Sequence, residues 1–357
     1  MSIEFVSTEI SGLYAYLLSN GTFYTLATKK QDSALFDCMA GLQNNICSGN
    51  INDINKFNDF IKEKLPDRPE KTEQFCKKSI CEMQEYSSFF QKNIEQVHKY
   101  KHTIEDTYIN YSENLSKLYD FFDIDKTFRC YGILAPLPQK NIDGCAMGNG
   151  FMMFYDTKKK DSEKYVGNSL LPEKKISTPL HETSHILFGH SKIKKDLKNR
   201  QGNGANKLLS VLDKYFNDYP DLNGRNSIMA IDEAIASCPS MDVNTKNKPY
   251  ESFDTFYYGF EAADKLAKSI YPIYQDYMKQ GKKLDDNFFM QAATNFETQQ
   301  KLENLRKQLS YSSPTSQIKT MGELRGISSA TKVPYNPKTV TINPAILKLA
   351  QNKKQKV

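Results

Sequence analysis

Apolar positions recur at three- and four-residue steps through most of this chain, the pattern of helices with one buried face. The clearest run spans residues 87–122, where Phe90, Ile94, Val97, Ile104, Tyr108, Tyr111, Leu115, Leu118 and Phe122 form one stripe interrupted only by Lys101. It predicts a long amphipathic helix, and residues 1–125 read as a helical accessory region. The period then changes. Residues 127–137 and 150–155, rich in Phe, Tyr, Ile and Leu, predict two short strands separated by a stretch bearing Pro136, Pro138 and Gly144. After a polar, Lys-rich loop to about Lys175, a helix is expected to open with Thr178 as N-cap and Pro179 in the first helical position, and to close at Gly189.

Beyond it, helices are predicted at 205–216, 227–238, 252–280 with a kink at Pro272, and 284–309. Residues 311–357 carry prolines and few periodic apolar positions, and are expected as an irregular basic tail. The fold class expected is α+β, mainly helical, with a small sheet just ahead of the helix near residue 180.

Composition adds bounds. With 357 residues, 39% apolar and 25% charged, the chain has the make-up of a globular protein with a sizeable core. The first thirty residues show no basic stretch followed by an apolar run, and no segment approaches the length of a membrane span. The expectation is a cytoplasmic protein, or a bacterial effector delivered into a host cell by a secretion system that needs no signal peptide. Seven cysteines, an odd set, suit free thiols in a reducing compartment. The net charge of +6 is modest, and the basic clusters at 158–160, 192–200 and 348–356 lack interleaved aromatics. They read as solvated surface, with neither nucleic acid nor membrane as partner, and a monomer is expected.

One short run carries chemistry: His181-Glu182-Thr183-Ser184-His185. On a helix, residues four apart stand one turn above each other, so both imidazoles face a single ion, and Glu182, turned by about 100° from His181, reaches the same side. Leu180, Thr183 and Leu187 fall opposite and give the helix a face to bury. Zinc takes neutral imidazoles, and a catalytic site leaves one position for water, whose pKa falls towards about 7. The chain has only five histidines, and His181, His185 and His190 lie within ten residues of each other, so coincidence explains the run poorly.

These residues resemble the zincin superfamily of metallopeptidases, whose motif is HExxH, with a short sheet ahead of the motif helix and an edge strand that holds an extended peptide. The resemblance covers residues 127–233, and it implies a zincin-like catalytic domain at 126–310. His190, Phe188 and Ser191 do not fit the metzincin continuation. The gluzincin form takes its third ligand from a later helix, and Glu233 within Ile231-Asp232-Glu233-Ala234 matches it, with Ala230, Ala236 and Ser237 small enough for close approach. The thermolysin-like Asp four residues further on is Ser237 here, leaving the partner of a ligand histidine unassigned, with Asp232 one choice. A rival is Asp254, followed by Tyr257, Tyr258 and Gly259 in a segment similar to that of aspzincins. Whether or not Asp254 is a ligand, the resemblance offers Tyr257 or Tyr258 as a donor to the oxyanion.

The resemblance therefore implies a zinc endopeptidase with one zinc per chain, held by His181, His185 and Glu233, with Glu182 as general base and a protein or peptide as substrate. Strand 150–155 is expected to pair with that substrate. The alternatives are a zincin-fold binding protein without hydrolysis and a basic interaction protein.

Overall fold

Short polar side chains start the N-terminal helices. Thr8 and Ser11 form a reciprocal capping box at the head of α1 (Glu9–Ser19), Asp32 caps α2 (Ser33–Cys47) and Asp53 caps α3 (Ile54–Lys64). Asp32 is also held by Arg68 at 2.7 Å, both side chains being buried, and Arg68 bonds the Leu26 carbonyl at 2.9 Å. This pair ties the start of α2 to the start of α4 (Pro69–Lys92). The computed structural model describes residues 3–29, 32–110, 112–137, 144–156, 172–218, 226–244 and 261–311.

The stripe at 87–122 is a packing face, as its spacing predicts: Phe90, Val97, Ile104, Leu115, Leu118 and Phe122 are all buried. It does not lie on one helix. The stripe is shared by the end of α4, by α5 (Ile94–Asn110) and by α6 (Ser112–Phe121). The first break falls at Asn93, whose side chain bonds the Phe89 carbonyl at 2.8 Å and whose N–H bonds the Phe90 carbonyl at 3.0 Å. An Asn that satisfies terminal carbonyls in this way ends a helix while the apolar spacing continues past it.

Four strands form a mixed sheet in the order β1-β2-β4-β3. They are β1 (Ile3–Val6), β2 (Cys130–Leu137), β3 (Gly144–Met147) and β4 (Gly150–Asp156). β1 and β4 both run parallel to β2, and β3 turns back antiparallel to β4 through Gly148, whose φ of 58° suits glycine. The near-continuous apolar run of β2 is that of an inner parallel strand covered on both faces. Two expectations are corrected. The first stretch of the chain supplies a strand, β1, that was not foreseen. The strand expected to pair with a substrate, β4, is paired with β2 on one side and, over Gly150–Met153, with β3 on the other, so among the described residues the outermost strand on that side is β3.

The motif helix, α7, runs Pro172–His190, so Thr178 is not its N-cap and Pro179 lies inside it. Pro172 takes the first position, where a missing N–H costs nothing; Pro179 forgoes one intrahelical bond. After it come α8 (Lys192–Lys198), α9 (Asn203–Asp218), α10 (Ser227–Asn244), α11 (Glu261–Gln280) and α12 (Asp286–Tyr311). α10 continues past the expected end at Cys238 with Pro239 inside it. Residues 252–260 of the helix expected at 252–280 and the tail from 312 lie outside the described residues. All seven cysteines are free, and among the described residues no helix is long and apolar enough to cross a membrane.

Met1–Gln300 forms one compact unit; of a second, Lys301–Val357, only the helical residues 301–311 are described. Within the first unit, residues 1–125 and the later helices share a core: the Phe122 and Phe188 rings stand 6.2 Å apart, and Phe121 meets Tyr274 edge-on at 5.3 Å. A close helix contact lies where α9 begins. Asp286 caps it, accepting from Gly204 N at 2.8 Å and Ala205 N at 2.9 Å. A methyl group on Gly204 would stand 1.9 Å from the Asp286 carbonyl oxygen. Because that neighbour is backbone and cannot turn aside, Gly204→Ala should cost about 3 kcal/mol, read as a shift of the urea midpoint at unchanged slope.

Candidate metal centre

α7 buries the face that its pattern predicts: Leu180, Thr183 and Leu187 are buried, as are Ser184, Ile186 and Phe188. Ser184 adds no loose polar group, since its hydroxyl donates to the Leu180 carbonyl at 2.7 Å. α10 packs along this helix. Its Ala230, Ala234, Ala236 and Ser237 are all buried, and such small side chains let two backbones approach closely. The Ser237 hydroxyl turns back on the Glu233 carbonyl at 2.7 Å.

The close approach brings three ligand atoms together. His181 Nε2 and His185 Nε2 stand 3.1 Å apart, and Glu233 Oε2 is 3.3 Å from each. The rings are 4.7 Å apart and nearly perpendicular. Among the described residues His181, His185 and Glu233 form the one group able to hold a metal ion. Donors bound at 2.0–2.1 Å around a tetrahedral ion stand roughly 3.3 Å apart, so this triangle has the dimensions of one face of such a site. Glu233 Oε2 is buried with no hydrogen-bond donor aligned on it, although two imidazoles adjoin it. A buried carboxylate oxygen in that state is costly unless a cation satisfies it. The donor set therefore fits a divalent ion such as zinc.

Asp232 completes the arrangement, its Oδ1 lying 2.9 Å from His185 Nδ1. A carboxylate there favours a proton on Nδ1, so that when the ring is neutral its Nε2 lone pair faces Glu233 and His181. The Asp232 Oδ2 atom is in turn bonded by Lys194 Nζ. Electrostatics favour positive charge at this point. Burial disfavours a charged His185, but Asp232 and Glu233 outweigh it and push its pKa up to about 10. Burial would raise the Glu233 carboxyl, yet the two histidines hold it well below the usual range.

Glu182 is 7% exposed. Burial, reinforced by the Glu233 charge, raises its pKa above the ordinary carboxylate value, while the neighbouring histidines pull it down. Cys145 on β3 lies near enough to feel the Glu182 carboxylate; burial and then that charge push its thiol up to about 12. β3 thus runs beside the helix that carries the buried acid.

His190 is exposed and rests on the Phe128 ring at 4.7 Å, away from the cluster. Tyr257, Tyr258 and Asp254 lie outside the described residues. Two neighbours of the site were not foreseen. Lys194 belongs to the cluster 192–200 expected as solvated surface, yet its side chain is 12% exposed and lies over the Phe188 ring at 5.0 Å. Its role depends on the break at Ser191, which caps α8 and turns the chain back towards α10. The proximity of Cys145 to Glu182 follows from strand order, which short-range pattern does not encode. Compared with protein families, curated proteins and solved structures, the chain matches none.

Proposed function

We propose that this protein is a zinc-dependent endopeptidase of the zincin type, closest in ligand pattern to the gluzincins, with one zinc per chain. The observation that carries the reading is the convergence of His181, His185 and Glu233 atoms within 3.3 Å of one another, with a buried glutamate next in sequence to one of the histidines. When bound, zinc would polarise a peptide carbonyl and make a water molecule acidic enough to ionise near neutral pH.

The remaining steps belong to the chain. His181, His185 and Glu233 hold the ion, and Asp232 keeps His185 in the tautomer that can bind it. Glu182 accepts the proton of the attacking water and returns it to the leaving amine; its raised pKa brings it nearer the working pH, where a base that must also act as an acid is most effective. β3, the outermost strand on that side among the described residues, replaces β4 as the strand proposed to hold an extended peptide, because an outer strand can add a partner through backbone hydrogen bonds without demanding a sequence. Tyr257 and Tyr258 remain proposed donors to the oxyanion. The protein would act in the cytoplasm, its own or that of a host cell.

Profiling new protein N-termini in a cell lysate tests the reading. Cleavage sites should appear with the zinc-loaded protein, vanish with a chelator and return when zinc is restored. Sites that form equally well in chelator would contradict it.

A further inference from the structure

The Asp232 carboxylate has two oxygens, and each is engaged: Oδ1 with His185 Nδ1 at 2.9 Å, Oδ2 with Lys194 Nζ. Asp232 is 21% exposed, so without a tether its carboxylate has room to turn towards solvent and leave the imidazole. The tether is itself well fixed. Lys194 N donates to the Ser191 hydroxyl at 3.3 Å at the start of α8, and its ammonium sits over the buried Phe188 ring at 5.0 Å. A lysine largely taken out of water, as this one is, needs a nearby anion and a polarisable face to remain there.

From this geometry we infer that Lys194 is a positioning residue for the metal centre: by fixing Asp232 it fixes the orientation and tautomer of His185. The inference rests on the metal-binding reading above. Lys194 touches no ligand atom of the site and takes no part in the reaction. It acts through a chain of contacts, Lys194 to Asp232 to His185, which joins α8, α10 and α7. A tie that only held the helices together would be felt in overall stability. A tie that orients a ligand is felt in metal affinity, and only while Asp232 is present to transmit it.

The test is a double-mutant cycle on the full chain, with zinc affinity measured by chelator competition and the visible spectrum of the cobalt-substituted protein as a second readout. Lys194→Met should weaken zinc binding about tenfold, at the lower edge of the roughly 10–100-fold range for partners of metal ligands, and should alter the cobalt bands. Lys194→Arg, which keeps a cation able to reach the carboxylate, should restore both. In an Asp232→Asn background, Lys194→Met should have no further effect on affinity. Wild-type affinity and spectrum in Lys194→Met, or losses that simply add in the double variant, would overturn the inference while leaving the metal site standing. Failure of the wild-type protein to bind zinc or cobalt would overturn both.

Discussion

Glu182→Gln should keep its metal and its fold and lose cleavage by about three orders of magnitude, within the 10²–10⁴-fold range of general acid–base catalysis. Glutamine is nearly the same size as glutamate and can still hydrogen-bond, so the buried pocket beside His181 stays filled. It has no basicity near neutral pH and cannot take the proton from the attacking water or return it to the amine. Removing the carboxylate also removes a charge that burial already disfavours, so the variant should fold at least as well as the parent. Turnover of one cleaved peptide, compared at equal metal loading, gives the answer. Parental activity in Glu182→Gln would place the chemistry elsewhere, and loss of metal would make Glu182 a ligand.

The second large effect concerns the ligands. His181→Ala, His185→Ala and Glu233→Ala should each weaken zinc binding by well over the roughly 100-fold at which the loss of an outer partner saturates. Each removes one of the three atoms that lie within 3.3 Å of one another. His190→Ala should leave affinity unchanged, since that ring is exposed and rests on Phe128. Asp254→Ala belongs in the same series: were it to empty the site while Glu233→Ala kept zinc, the carboxylate ligand would be Asp254, and the contact of Glu233 with the histidines would be packing alone.

How much of this was legible in the sequence varies with the range of the interaction. Helical geometry alone put His181 and His185 on one face, and the small residues around Glu233 marked α10 as a helix that could lie close to α7. The start of α7 was misjudged because Thr178-Pro179 has the local chemistry of a helix start, while Pro172 offers the same first-position proline seven residues earlier. The four residues of β1 are too few for alternation to stand out, and its partner is far away in the chain. Strand order is equally non-local: nothing within 150–155 tells whether one edge of that strand or both are paired. Lys194 was hidden by composition, since a lysine among lysines reads as solvated until a helix break aims it at a half-buried aspartate.

Zinc per chain, determined by elemental analysis on protein purified without chelator and supplied with zinc, tests the central claim most directly. The account predicts close to one zinc in the wild-type protein and in Glu182→Gln, and close to none in His185→Ala and Glu233→Ala under the same conditions. A wild-type protein that stays near zero after zinc is added, or ligand variants that hold as much as the parent, would contradict it.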